Sequence, residues 1–143
     1  MQGLKLTALD AQDLEILSAH MQDAVLKASG LQYLAARQKF ILTANRFDWS
    51  REAADGALTR RACVLQFARV EAVQSRGMAP QGADAALALL SITFEPAQAP
   101  SGHVVLAFAG GATLRLKVEC IEAQLADSEA AWLARSKPVH GEG

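Results

Sequence analysis

The chain has 143 residues, of which 51% are apolar and 20% charged, and its net charge is −1. That length supports one domain with a real core. The near-zero charge argues against a dedicated nucleic-acid binder, which normally carries a strong basic excess.

No apolar run reaches the length of a membrane span. The opening Met1-Gln2-Gly3-Leu4-Lys5 lacks the charged and apolar regions of a signal peptide, which places the chain in the cytoplasm. Gly3 to Leu9 reads as a short strand with Leu4, Leu6 and Ala8 on one face. Asp10 then suits a helix N-cap, and Asp13 suits the positive end of that helix. Leu9 and Leu14 stand where a hydrophobic staple would place them, and Leu14, Leu17 and Met21 form the buried stripe with Ile16 beside it.

Asp23 to Ala28, Leu31 to Ala35 and Lys39 to Asn45 read as three strands of a meander. Turns at Ser29-Gly30 and Ala36-Arg37-Gln38 separate them. In the third, Phe40, Leu42 and Ala44 share a face. A polar loop spans 50–59. Arg60 to Gln74 then reads as the longest strand, with Cys63, Leu65 and Phe67 in phase. The apolar phase shifts near Ala68-Arg69, which predicts a bulge or sharp bend between Phe67 and Val70. After a loop at 77–84, Leu87 to Phe94 forms a strand with Leu90, Ile92 and Phe94 on one face.

Residues 103–118 carry the clearest pattern. Gly110-Gly111 lies between two alternating runs, a hairpin signal. A two-residue loop would set Leu106 opposite Arg115. A three-residue loop, Ala109-Gly110-Gly111, sets Phe108 opposite Ala112, Leu106 opposite Leu114 and Val104 opposite Leu116, so burial selects it. That loop requires Gly111 at positive φ. A phosphate cradle would need a helix N-terminus after the glycines, and a charged strand follows instead. Beyond Glu119, Ile121, Leu125, Ser128 and Trp132 fit a helix with Glu122, Gln124 and Asp127 outside. Ile121, Ala123 and Leu125 also fit a continued strand, so 119–127 stays open. Trp132 and Leu133 would pin the chain end to the sheet. The expected architecture is α+β: a curved, mostly antiparallel sheet of about seven or eight strands with an N-terminal and a C-terminal helix. It forms one domain over 1–134 with a flexible tail at 135–143.

Few residues carry chemistry. His20 with Asp23, or Cys63 or Cys120 as a nucleophile, are the candidates for an enzyme, but no base stands beside a nucleophile in sequence. There is no metal-ligand cluster, Gly-x-Ser-x-Gly or P-loop, so no metal or cofactor is assigned. The cysteines read as reduced, buried thiols. Charge is uneven: −2 over residues 1–36, +4 over 37–76 and −3 over 77–143. The basic middle offers a route to an anionic ligand or nucleic acid. Within it Arg46, Phe47, Trp49, Arg60 and Arg61 combine the residue types that dominate interface energy, and they are the candidate binding patch.

The stretches SAHMQDAV (18–25), NRFDW (45–49) and GGATLRLKVECIEAQLAD (110–127), with Trp132 and the Lys137-Pro138-x-His140 tail, resemble an uncharacterised alphaproteobacterial family, domain of unknown function 2948. The resemblance covers nearly the whole chain, with 50–59 and 77–84 least covered. It implies a bacterial, cytoplasmic, single-domain protein and carries no activity or catalytic residue. The sequence thus points to a non-catalytic binding or interaction domain that engages a protein partner or a second copy of itself.

Overall fold

Period-two alternation dominates the chain and yields ten strands and one α-helix in the computed structural model, which describes residues 3–52, 58–78 and 84–128. In order these are β1 (Lys5–Ala8), α1 (Ala11–Met21), β2 (Val25–Lys27), β3 (Leu31–Leu34), β4 (Lys39–Glu52), β5 (Leu58–Phe67), β6 (Val70–Arg76), β7 (Ala86–Pro96), β8 (Gly102–Phe108), β9 (Thr113–Val118) and β10 (Ala123–Asp127). They form one antiparallel sheet in the order β1-β10-β5-β4-β2-β7-β8-β9-β6, with β3 paired to β4 beside this path. The sheet is not closed into a barrel. The strands outnumber the seven or eight expected.

The helix begins as its sequence dictates. The Asp10 side chain accepts from the Asp13 N–H at 2.8 Å, and the Asp13 carboxylate accepts from the Leu9 N–H at 3.0 Å, a reciprocal cap. Leu14, Leu17 and Met21 are buried. The expected staple does not form, because Leu9 is 64% exposed, and Ile16 also faces out. Where β2 ends, α1 takes over the flank of β7. Leu89 exchanges backbone bonds with Asp23 and Ala24, and the Ser18 hydroxyl accepts from the Ile92 N–H at 2.9 Å. The helix thereby covers a sheet edge that would otherwise be open.

The first strands depart from a simple meander. β2 pairs with β4 and β7, while β3 pairs only with β4. The predicted single strand from Arg60 to Gln74 is two strands, β5 and β6, broken at Ala68-Arg69 where Arg69 takes φ 61. The bend lies where the apolar phase shifts. A second crossing, Glu119 to Glu122 between β9 and β10, runs beside it. Ala68 donates to the Glu122 carbonyl at 2.8 Å and Glu119 donates to the Arg69 carbonyl at 3.1 Å. The Arg69 guanidinium adds ion pairs to Glu119 and Glu122.

The hairpin of β8 and β9 has the three-residue loop. Leu106 faces Leu114, Val104 faces Leu116, and Phe108 donates to the Ala112 carbonyl at 2.8 Å. Gly111 sits at φ 92 and Gly110 at φ 88. On β7 a register shift between Leu89 and Ser91 buries Leu89 and Ile92 and turns Leu90 outward, against the expected grouping of Leu90 with Ile92. Residues 123–127 are a strand rather than a helix. β10 lies between β1 and β5, and that two-sided pairing decides between the two periods. The expected anchor Trp132, the rest of a C-terminal helix, the tail at 135–143 and the middle of the 50–59 loop lie outside the described residues.

The inward faces of both halves of the sheet and the α1 stripe share one core, with Phe67, Phe108, Leu65, Leu106 and Leu116 among its fully buried members. Burying such side chains is the main stabilising term, at roughly 1.5–3 kcal/mol each. Among the described residues no helix is long and apolar enough to cross a membrane.

Candidate functional site

β4 and β5 bring the candidate patch together and then divide it. Their register sets Arg46 opposite Arg61 and Phe47 opposite Arg60. Alternation sends the first pair inward and the second outward. The backbone of Trp49 continues β4, but its side chain lies outside the described residues.

On the inner side Arg46 is only 4% exposed. Its Nε donates to Asp127 Oδ1 and its Nη2 to Oδ2, both at 2.8 Å, a bidentate fork. Its Nη1 donates to the Phe47 carbonyl at 3.0 Å. The Leu4 N–H donates to Asp127 Oδ2 at 2.8 Å, and Arg61 Nε lies 4.0 Å from the same oxygen. Two arginines directly opposite on one face repel each other, and the carboxylate between them offsets that repulsion. Gly3 permits the close approach of the first strand, since a Cβ there would stand 2.8 Å from the Asp127 Cβ. Burial by itself would raise the Asp127 carboxyl. The Arg46 hydrogen bonds, the Leu4 amide and the charges of Arg46 and Arg61 outweigh it and hold the group below the usual carboxylate range.

Asp127 is the member that sequence reasoning missed, having been set on the outer face of a helix. A signal was present. Arg46 falls in phase with Phe40, Leu42 and Ala44, and Asp127 falls in phase with Ile121, Ala123 and Leu125. Opposite charges on two inward phases mark a buried pair.

On the outer side the Arg60 guanidinium carbon stands 4.0 Å from the centroid of the Phe47 ring. Arg60 is exposed and Phe47 half-buried. This cation–π contact joins a charged and an aromatic side chain across the β4–β5 ladder.

The enzyme candidates fare differently. His20 is half-buried in the last turn of α1, and Asp23 takes φ 66 with its N–H bonded to Leu89. Cys63 is fully buried in β5, with its Sγ 3.8 Å from the Met21 Sδ. Burial pushes its thiol up to about 12, against a weaker opposing pull from Arg46, so no thiolate nucleophile forms at neutral pH. Cys120 is half-buried rather than buried, on the second crossing. Titrating the native protein with a thiol reagent should therefore label Cys120 alone, and both cysteines only after unfolding. Native labelling of Cys63 as fast as Cys120 would contradict this burial. Among the described residues no group of three or more His, Cys, Asp or Glu is placed to hold a metal.

Among the described residues the fold is an open, antiparallel sheet with one flanking helix, an ionic clamp across its inner face and an exposed Arg–aromatic pair. The chain belongs to the family described as protein of unknown function DUF2948, whose model matches residues 4–140. Neither the curated proteins nor the solved structures give a match.

Proposed function

We propose that this chain is a small, non-catalytic, cytoplasmic interaction domain that seats a protein partner on the outward face of β4 and β5. Phe47 and Arg60 form the centre of that face. Arg46 and Arg61 act from behind, fixing the two strands through Asp127 rather than touching the partner. The observation that carries this reading is the Arg60 guanidinium held over the Phe47 ring on a ladder braced from within. Arg and aromatic residues on rigid scaffolds supply most of the energy of known interfaces. Free rather than bonded cysteines accord with a reducing compartment.

Affinity capture with the tagged chain, compared with Arg60→Glu and Phe47→Ala, tests the face. Both substitutions leave the core untouched. A bound protein held by the parent chain should bind each variant about 30-fold more weakly or worse. Identical capture by all three would remove this face from consideration. A shift of the parent alone to a dimer in light scattering would identify the partner as a second copy.

A further inference from the structure

The far half of the sheet presents a second surface. β6, β9, β8 and β7 lie side by side, and most of their apolar residues take the inner face. The outer face is left to rows set by register: Gln74, Arg115, Val105 and Thr93 in one, Arg76, Thr113, Ala107 and Ser91 in the next. These strands carry a cleft of about 630 Å3, lined by Gln74, Ser75, Arg76, Glu95, Val105, Thr113 and Arg115. That volume is in the range of small-molecule sites.

The lining is rich in donors. Arg76 and Arg115 each offer a planar fork of N–H groups, and Thr113 and Gln74 add a hydroxyl and an amide. Among the described residues Arg76 has no carboxylate partner. Arg115 donates to Glu95 at 2.6 Å, but both side chains are about half exposed, at 42% and 55%. An exposed pair of that kind contributes little, so Arg115 turns to a new acceptor at small cost. Lys117 lies on the same face, paired at 3.9 Å with Glu71.

We propose that this cleft binds a small phosphomonoester, with Arg76 and Arg115 on the phosphate oxygens and Thr113 and Gln74 completing the shell. A phosphate group has enough acceptor oxygens to engage both guanidinium forks together with the neighbouring hydroxyls, and a two-oxygen carboxylate does not. Glu95 limits the ligand to one anionic group, because a chain of phosphates would be repelled at that wall. The site is on the opposite half of the sheet from the Phe47–Arg60 face and stands independently of it.

Calorimetric titration of the full chain with phenyl phosphate, at fixed ionic strength, is the test. Saturable one-to-one binding is expected, with benzoate weaker by about tenfold. Arg76→Gln and Arg115→Gln should each weaken phenyl phosphate by about tenfold, and Glu95→Gln should tighten it by freeing Arg115 and removing repulsion. Lys5→Gln, on β1 at the far end of the strand order, should change nothing. These surface substitutions leave the core intact, so loss of binding reads the site itself. No saturable signal up to about 20 mM would overturn the proposal. So would equal binding of benzoate, indifference to Arg76→Gln, or an equal loss in Lys5→Gln.

Discussion

Asp127→Ala is expected to cost about 3–5 kcal/mol of folding stability, because it leaves the Arg46 guanidinium buried without its counter-charge. The loss is not of one hydrogen bond. Asp127 accepts both arms of Arg46 and the Leu4 N–H, and it stands between Arg46 and Arg61. Urea denaturation followed by circular dichroism measures it. Replacing both partners together, as Arg46→Met with Asp127→Leu, should recover most of the deficit, since an apolar pair of similar volume avoids the desolvation of two ions. A cost under about 1 kcal/mol for Asp127→Ala would mean that the clamp does not hold the strands.

The same carboxylate gives stability an acid limb. Its folded pKa is depressed, so its contribution is complete above the unfolded value of about 3.9 and is lost as pH falls through the lower folded value. Stability of the parent chain should therefore fall with acidification across that window, and Asp127→Asn should lack this part of the slope. A parent and variant with parallel acid limbs would show that the carboxylate is not ionised in the folded state.

Phe67→Ala is the second large effect, expected at about 3–5 kcal/mol by the same denaturation measurement. The ring is 1% exposed and pairs in register with Phe40 on one side and Ala123 on the other. It is also the last residue before the bend, so the cavity would open where the two crossings are hydrogen-bonded together. Hydrogen exchange at Ala68 and Glu119, whose N–H groups form those bonds, should accelerate with it. Phe67→Leu should cost under about 1.5 kcal/mol. A loss of that smaller size in Phe67→Ala would show that the bend does not rest on this ring.

What could be read in advance follows from how far apart the deciding residues are. The β8–β9 hairpin was legible because Gly110-Gly111 and the alternation on both sides are contiguous. The break at Ala68-Arg69 was legible because the apolar phase changes within one strand. The strand over 123–127 was not, because Ile121 and Leu125 satisfy a helical period as well as an extended one. Only its neighbours β1 and β5, distant in sequence, settle the matter. The phase of Arg46 marks it as inward-facing, but which carboxylate meets it was not legible, since Asp127 is 81 residues away. The outward turn of Leu90 depends on a shift in the β7–β8 ladder that no local pattern announces. Of the patch, alternation alone separates Arg60 from Arg61. Which of the two meets solvent depends on the core.

The position of β10 has a consequence for how the chain is made. This strand is made after every other described strand, yet it belongs between β1 and β5, which are made much earlier. Until residue 127 is out, β5 waits with an unpaired flank, β1 has no ladder to join, and Arg46 and Arg61 stand together without their anion. A nascent chain halted before Ala123 would therefore offer other chains the open strand edges from which aggregation starts, and the final docking of β10 removes two such edges in one step.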